Sequence, residues 1–174
     1  MRIILFFGSF NPIHYGHTSL AQYVLANTDC EQLWFVVSPH NPLKQKSDLW
    51  DDNLRFRYVN EAISSIPNTK AVDTEFHLPQ PNYTVNTLRH LSAQYPEHQF
   101  SILIGEDNYN IFDKWRDWQE ILANYRIFVY PRHCGITSDR TKFTQMVWLD
   151  GAPMFDISST EIREKIRNGE QGSV

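Results

Sequence analysis

Residues 3–17 read Ile-Ile-Leu-Phe-Phe-Gly-Ser-Phe-Asn-Pro-Ile-His-Tyr-Gly-His. The unbroken apolar run that opens this stretch is typical of a strand buried on both faces, and Gly8 predicts a turn directly after it. Apolar residues then recur at helical spacing from Leu20 to Leu25, so a helix is predicted to begin near Gly16. The stretch therefore predicts a central parallel strand, a glycine turn that leads to two histidines, and a helix.

The same alternation of strand and helix continues along the chain. After a proline-containing loop over 38–52, apolar positions predict helices over 54–66 and 85–95. Buried strands are predicted at 33–37, 71–76, 100–104 and 126–130, with a late edge strand at 146–149. Strands and helices that alternate in short units indicate an α/β fold with a doubly wound, mostly parallel sheet, which binds ligands beyond the carboxyl ends of its strands.

Composition limits the protein to a few classes. A chain of 174 residues with 41% hydrophobic content can bury one sizeable core, so a single domain over 1–174 is predicted. The net charge of -4 argues against a broad basic face for nucleic acid. Apolar runs are too short for a membrane span or a signal peptide, which predicts a cytoplasmic protein without a membrane partner. The isolated Cys30 and Cys134 do not have the spacing of a zinc or redox pair.

The histidine pair lies where an anion would be expected. Gly8 lets a phosphate approach the backbone closely, and a helix that begins near Gly16 directs free N–H groups and the positive end of its dipole toward the same space. His14 and His17 could donate hydrogen bonds there. A metal pair and two ordinary loop residues remain alternatives, although a glycine between the histidines disfavours a metal site within a helix.

A second anion site is predicted near the end of the chain. Ser158 and Glu161 have the spacing of a capping box, which by itself indicates only a well-capped helix. Two more hydroxyls in the first turn, on Ser159 and Thr160, together with Arg163, favour binding of nucleotide phosphates.

Both segments resemble the nucleotidyltransferase superfamily that shares its histidine signature with class I aminoacyl-tRNA synthetases. Residues 8–17 match the histidine signature, and residues 157–163 are similar to the superfamily's Ile-Ser-x-Thr-x-x-Arg segment. The resemblance implies a Rossmann-like fold. It also implies charge compensation by His14, His17 and Arg163, and contacts with ATP from Gly8, Ser9, Phe10, Ile157, Ser159 and Thr160.

The middle of the chain resembles bacterial nicotinate-nucleotide adenylyltransferases. The loop 38–44, Ser-Pro-His-Asn-Pro-Leu-Lys, is similar to a family loop whose basic residue reaches the phosphates, here Lys44. Gly105 and Asp107 follow a predicted strand at the family's ribose-binding position. A solvated lysine and an aspartate that merely caps a helix are the structural alternatives.

The same resemblance implies a pocket for the pyridine ring. Residues 82–88 resemble the family's Ser-Tyr-Thr-x-x-Thr-Leu segment, which assigns contacts to Tyr83 and Thr84. Trp115 matches a tryptophan that stacks on the ring, the backbone amide of Arg116 would bind its carboxylate, and Arg132 matches an arginine near the mononucleotide phosphate. Helix capping and aromatic core packing remain the alternatives for Thr84 and Trp115.

The implied reaction joins ATP and nicotinate mononucleotide into deamido-NAD and pyrophosphate, with Mg²⁺ carried by ATP rather than by a protein cage. Competing hypotheses are a phosphopantetheine adenylyltransferase-like enzyme and a non-enzymatic nucleotide-sensing module. The family usually continues past Gly169 into another short helix, so the resemblance implies either a short member or a truncated C-terminus. The oligomeric state is left open.

Overall fold

A parallel sheet forms the centre of the protein, whose computed structural model describes residues 1–40, 49–154 and 159–169. Within these ranges the sheet has six strands, in the spatial order β3-β2-β1-β4-β5-β6. The strands are β1 Arg2–Gly8, β2 Gln32–Val37, β3 Thr69–Val72, β4 Gln99–Gly105, β5 Arg126–Tyr130 and β6 Val147–Trp148. Every adjacent pair is parallel. The predicted doubly wound, mostly parallel sheet is therefore confirmed.

Helices connect the strands and cover both faces of the sheet. They are α1 Tyr15–Asn27, α2 Asp52–Ile63, α3 Thr84–Gln94, α4 Glu106–Tyr109, α5 Trp118–Asn124 and α6 Ser159–Arg167. Two 3-10 turns also occur: Thr74–His77 lies between β3 and α3, and Phe112–Lys114 lies between α4 and α5. In the part of the chain described, none of the helices combines the length and apolar character needed to cross a bilayer.

The apolar run of β1 contributes to two cores. Ile3 and Leu5 belong to the cluster that contains Leu88 of α3, whereas Ile4 and Phe6 belong to the cluster on the other face. Successive side chains of a strand point to opposite faces, so a strand that is covered by helices on both faces is apolar throughout.

Two predicted elements are shorter than expected. The strand predicted at 71–76 begins earlier, at Thr69, and ends at Val72, and residues 74–77 form a 3-10 turn instead. Within this turn the buried Glu75 carboxylate accepts hydrogen bonds from Ser38 and Thr87, which stabilise the chain where it has left the sheet. The helix predicted at 54–66 ends at Ile63.

The strand order positions the site. From β1 the sheet extends to β2 and β3 on one side, and from β4 it extends to β5 and β6 on the other. Where this order reverses, between the adjacent strands β1 and β4, a crevice opens at their carboxyl ends. Gly8 ends β1 and Gly105 ends β4, so the segments predicted to bind nucleotide start at this crevice.

Candidate active site

The histidine pair forms the start of α1. His14 is the N-cap, and its Nδ1 accepts a hydrogen bond from the Gly16 N–H at 3.1 Å. His17 reaches back in the same way, because its Nδ1 accepts from the His14 N–H at 3.1 Å. In a neutral imidazole whose Nδ1 is an acceptor the proton lies on Nε2. Each ring therefore keeps an Nε2–H donor for a ligand.

This arrangement corrects two expectations. The Gly16 N–H, expected to be free for an anion, is already bonded to His14. The positive charge expected from the histidines is also disfavoured: burial lowers the pKa of both, Arg132 lowers them further, and Glu161 offsets this only in part at His14. For His17 the pKa falls to about 3, with His14 contributing, and the two ring centroids lie 3.9 Å apart. At neutral pH the pair consists of uncharged donors.

The low pKa of His17 predicts how stability depends on pH. An unfolded histidine titrates near 6.5 and the folded one at about 3, so between these values the unfolded chain binds more protons. His17 should therefore lower the free energy of unfolding as pH falls from 6.5, by at most about 1.4 kcal/mol per pH unit, and have no effect at higher pH. Urea unfolding of wild type and His17→Asn between pH 4.5 and 7.5 checks this. Equal slopes in the two proteins would contradict it.

The loop after β1 turns at a different residue from the one predicted. The left-handed conformation belongs to Phe10, with φ of 46°, and not to Gly8. A Cβ on Gly8 would approach the buried Phe10 ring to 3.0 Å, so the glycine makes room for this ring. The ring also packs at 5.1 Å against the ring of His17. Phe10, predicted to bind ATP, thus supports the histidine pair with its side chain.

Helix α6 binds this loop from the other side. Ser159 Oγ donates to the Pro12 carbonyl at 2.8 Å, and Arg163 Nη1 donates to the Asn11 carbonyl at 2.5 Å. Arg163 Nη2 also donates to Thr160 Oγ1 at 3.1 Å. The predicted phosphate-binding groups of α6 are therefore fixed beside the loop that joins β1 to the histidine pair. Lys44, Ile157 and Ser158 lie outside the described residues.

A cavity of about 500 Å³, the histidine cavity, lies between the histidine pair and the start of α6. Among the predicted site residues, it is lined by His14, His17, Arg132, Ser159 and Thr160. Phe6, Tyr130 and His133 also line it, and the sequence analysis did not assign them a role. The cavity thus brings together residues from β1, α1, β5 and α6 that are far apart in the chain.

The ends of β4 and β5 lie side by side next to this cavity, which is lined by Arg132 but not by Gly105 or Asp107. Arg132 Nη1 lies 3.8 Å from Asp107 Oδ2, so two residues predicted to contact different substrates are neighbours. A Cβ on Gly105 would lie 2.6 Å from Asp107 Oδ1 and 2.9 Å from Arg132 Cδ. Glycine at 105 therefore leaves room for both side chains. Ser9, also predicted to bind ATP, is exposed after β1.

The residues predicted for the pyridine ring form a separate group. Tyr83 is the N-cap residue of α3, and Thr84 is the first residue of that helix. The Arg116 guanidinium lies 4.1 Å from the centroid of the Tyr83 ring, which joins the two predicted segments. Trp115 is half-buried and packs against Phe112, with ring centroids 5.2 Å apart. The four predicted residues thus converge, but they do not line the histidine cavity.

Sequence reasoning missed a buried arginine behind the site. Arg55 is completely buried in α2, although the predicted apolar face of this helix began at Leu54. Its Nη1 donates to the carbonyls of Ser9 and Ser38, which follow β1 and β2, and its Nη2 is paired with Asp52. Arg55 precedes the buried Val59 by one helical turn, and this spacing was the available signal.

Solved structures share this fold. A Plasmodium falciparum nicotinic acid mononucleotide adenylyltransferase complexed with NaAD matches with a TM-score of 0.78 and 17% identity, over 98% of this chain and 86% of that chain. The same enzyme complexed with APC matches with a TM-score of 0.74 and 17% identity, over 94% of this chain and 82% of that chain. At this identity the likeness shows the fold.

Sequence relatives show the family. The family model described as cytidylyltransferase-like matches residues 5–165. A protein of Flavobacterium psychrophilum named "probable nicotinate-nucleotide adenylyltransferase" is 49% identical over 97% of this chain and 88% of its own length. One of the same name from Bacteroides fragilis is 44% identical over 95% of this chain and 82% of its own length. The chain therefore belongs to the cytidylyltransferase-like family and, within it, to the nicotinate-nucleotide adenylyltransferases.

Proposed function

We propose that the protein transfers the adenylyl group of ATP to nicotinate mononucleotide, giving deamido-NAD and pyrophosphate in NAD biosynthesis. The observation that carries the proposal is the histidine pair at the start of α1, whose two Nδ1 atoms accept backbone hydrogen bonds, in a cavity that Arg132 and the hydroxyl residues of α6 also line. The names of the relatives support the choice of acceptor. We also propose that residues 1–174 form one nucleotidyltransferase domain, since both apolar clusters pack on a single sheet.

The chemistry requires alignment more than proton transfer. A phosphate oxygen of the mononucleotide attacks the α-phosphorus of ATP, and the bond from that phosphorus to the β-phosphate bridging oxygen breaks. The attacking phosphate is ionised near neutral pH, so the site needs neither a general base nor a covalent intermediate. Two fixed Nε2–H donors can stabilise negative charge that develops on the phosphates. Arg163 and Lys44 are proposed to offset the charge on the departing pyrophosphate.

Mg²⁺ is proposed to enter with ATP. Magnesium commonly binds substrate phosphates and waters with few protein ligands, and there it neutralises charge on the triphosphate. The described ranges contain no group of three or more His, Cys, Asp or Glu side chains that could hold a metal ion. The residues that would meet the metal-bound triphosphate are the donors of α1 and the N-terminal side chains of α6.

The proposal is tested by pyrophosphate release. Purified protein is incubated with ATP and Mg²⁺ plus nicotinate mononucleotide, nicotinamide mononucleotide or phosphopantetheine, and deamido-NAD is identified by mass spectrometry. Fast release with nicotinate mononucleotide supports the proposal. Fast release with phosphopantetheine alone would indicate the competing enzyme, and ATP binding without release would indicate a nucleotide-sensing module.

Trp115 should affect one substrate more than the other. Its half-buried ring is proposed to stack on the pyridine ring, and such a platform contributes about 1 to 3 kcal/mol. We expect Trp115→Ala to raise the KM for nicotinate mononucleotide at least about fivefold and to change the KM for ATP little. Trp118→Ala is the matched control, because Trp118 packs on Phe112 and Phe143. Equal effects on both substrates together with a large loss of Tm would indicate that Trp115 only packs the core.

A further inference from the structure

Helix α4 holds the loop that follows β5. Tyr109 Oη donates to the Asp139 carbonyl at 2.7 Å, and Asn110 Nδ2 lies 3.7 Å from Cys134 Sγ. Two further contacts come from the first residue of the helix, Glu106. The loop, residues 131–139, therefore has a fixed attachment to the end of β4, although several of its residues are exposed.

Both carboxylate oxygens of Glu106 are used in this attachment. Oε1 accepts from the Arg132 backbone N–H at 3.1 Å, and Oε2 accepts from Ser138 Oγ at 2.6 Å. Hydrogen bonds to an ionised carboxylate are stronger than those between neutral groups. Since the two donors lie near opposite ends of the loop, one side chain fixes where the loop begins and where it returns.

The loop position matters because it determines where the Arg132 side chain lies. Arg132 lines the histidine cavity and faces Asp107 across 3.8 Å. Its charge also contributes to the lowered pKa of His14 and of His17. A shift of the loop would therefore move the Arg132 guanidinium relative to the two histidines and to the substrate phosphates.

We propose that Glu106 is a positioning residue that acts through Arg132: its carboxylate holds the 131–139 loop so that the Arg132 guanidinium reaches the acceptor phosphate. This inference rests on the proposed adenylyl transfer. Glu106 does not line the cavity, and both of its carboxylate oxygens accept hydrogen bonds from the loop, so its proposed effect on the reaction passes through Arg132.

A double-mutant cycle tests the proposal in the full chain. Kinetics with ATP and nicotinate mononucleotide are measured for wild type, Glu106→Ala, Arg132→Ala and the double variant, with Glu61→Ala on the exposed side of α2 as the carboxylate control. Glu106→Ala should lower kcat/KM for the mononucleotide roughly tenfold, the size expected when a charge-assisted hydrogen bond is lost. In the Arg132→Ala background the same change should have almost no effect, because the two residues act in series.

Two further variants separate positioning from folding. Ser138→Ala removes the donor to Oε2 and should give a smaller loss of the same kind, whereas Glu106→Gln keeps one acceptor oxygen and should recover part of the activity. Additive losses for Glu106→Ala and Arg132→Ala would overturn the proposal, as would an unchanged kcat/KM in Glu106→Ala. An inactive wild type would instead refute the adenylyl transfer, so failure of the two proposals is distinguishable.

Discussion

His17→Ala is expected to lower kcat about a hundredfold or more in a protein that remains folded. The physical reason is that a preorganised donor to charge developing in the transition state is worth about this much. His17 is preorganised because its Nδ1 accepts from the His14 N–H, which directs its proton to Nε2, and because its ring packs in a T-shaped contact with the Phe10 ring. Steady-state kinetics measure the loss, and circular dichroism with thermal unfolding confirms the fold.

Two other substitutions at the same position identify the atom responsible. Asparagine at 17 can place an oxygen near the Nδ1 position and keep the bond to His14, but it has no group at the Nε2 position. Glutamine can place an N–H near Nε2. We expect His17→Asn to be about as inactive as His17→Ala and His17→Gln to retain more activity. If His17→Asn turns over at a near-normal rate, the Nε2–H group has no role in the reaction.

The sheet was predictable because burial on both faces is visible in the sequence. Largely apolar runs predicted strands at 3–7, 33–37, 100–104 and 126–130, and all four are present. The late edge strand is also confirmed, as β6. The bounds of the strand predicted at 71–76 were wrong, because the strand is Thr69–Val72 and the next residues form a 3-10 turn in which Glu75 bonds to residues distant in the chain.

The site was predictable only as a set of segments. The motifs assigned the histidines and the α6 hydroxyls to the phosphates of ATP and Arg132 to the phosphate of the mononucleotide, and the structure places all of them along one cavity. Their contacts with substrates remain predictions. The supporting charges were not predicted, since the spacing of Arg55 from Val59 indicates a buried face of α2 but names no partner for the charge, and Glu106 at a helix start has the pattern of a solvated residue. Their partners are carbonyl and N–H groups supplied by other elements.

Nicotinate mononucleotide is expected to be preferred over its amide by roughly one to two orders of magnitude in kcat/KM. The reason is the electrostatics around the start of α3. Among the described residues no side chain caps this helix, and its first turn contains no acidic residue. Free N–H groups at a helix start, the Thr84 hydroxyl and the nearby Arg116 cation together favour a carboxylate.

An amide would bind less well because its own NH₂ group would face one of these donors and leave it unpaired, at a cost of about 1 to 3 kcal/mol. Thr84→Val keeps the shape and removes the hydroxyl, so the preference should shrink several-fold while the KM for ATP stays the same. Thr28→Val is the control, because Thr28 caps the other end of α1. Both mononucleotides are compared at identical ATP and Mg²⁺ concentrations. Equal kcat/KM values in the wild type, or a preference unaffected by Thr84→Val, would place the pyridine carboxylate elsewhere even if the adenylyl transfer is correct.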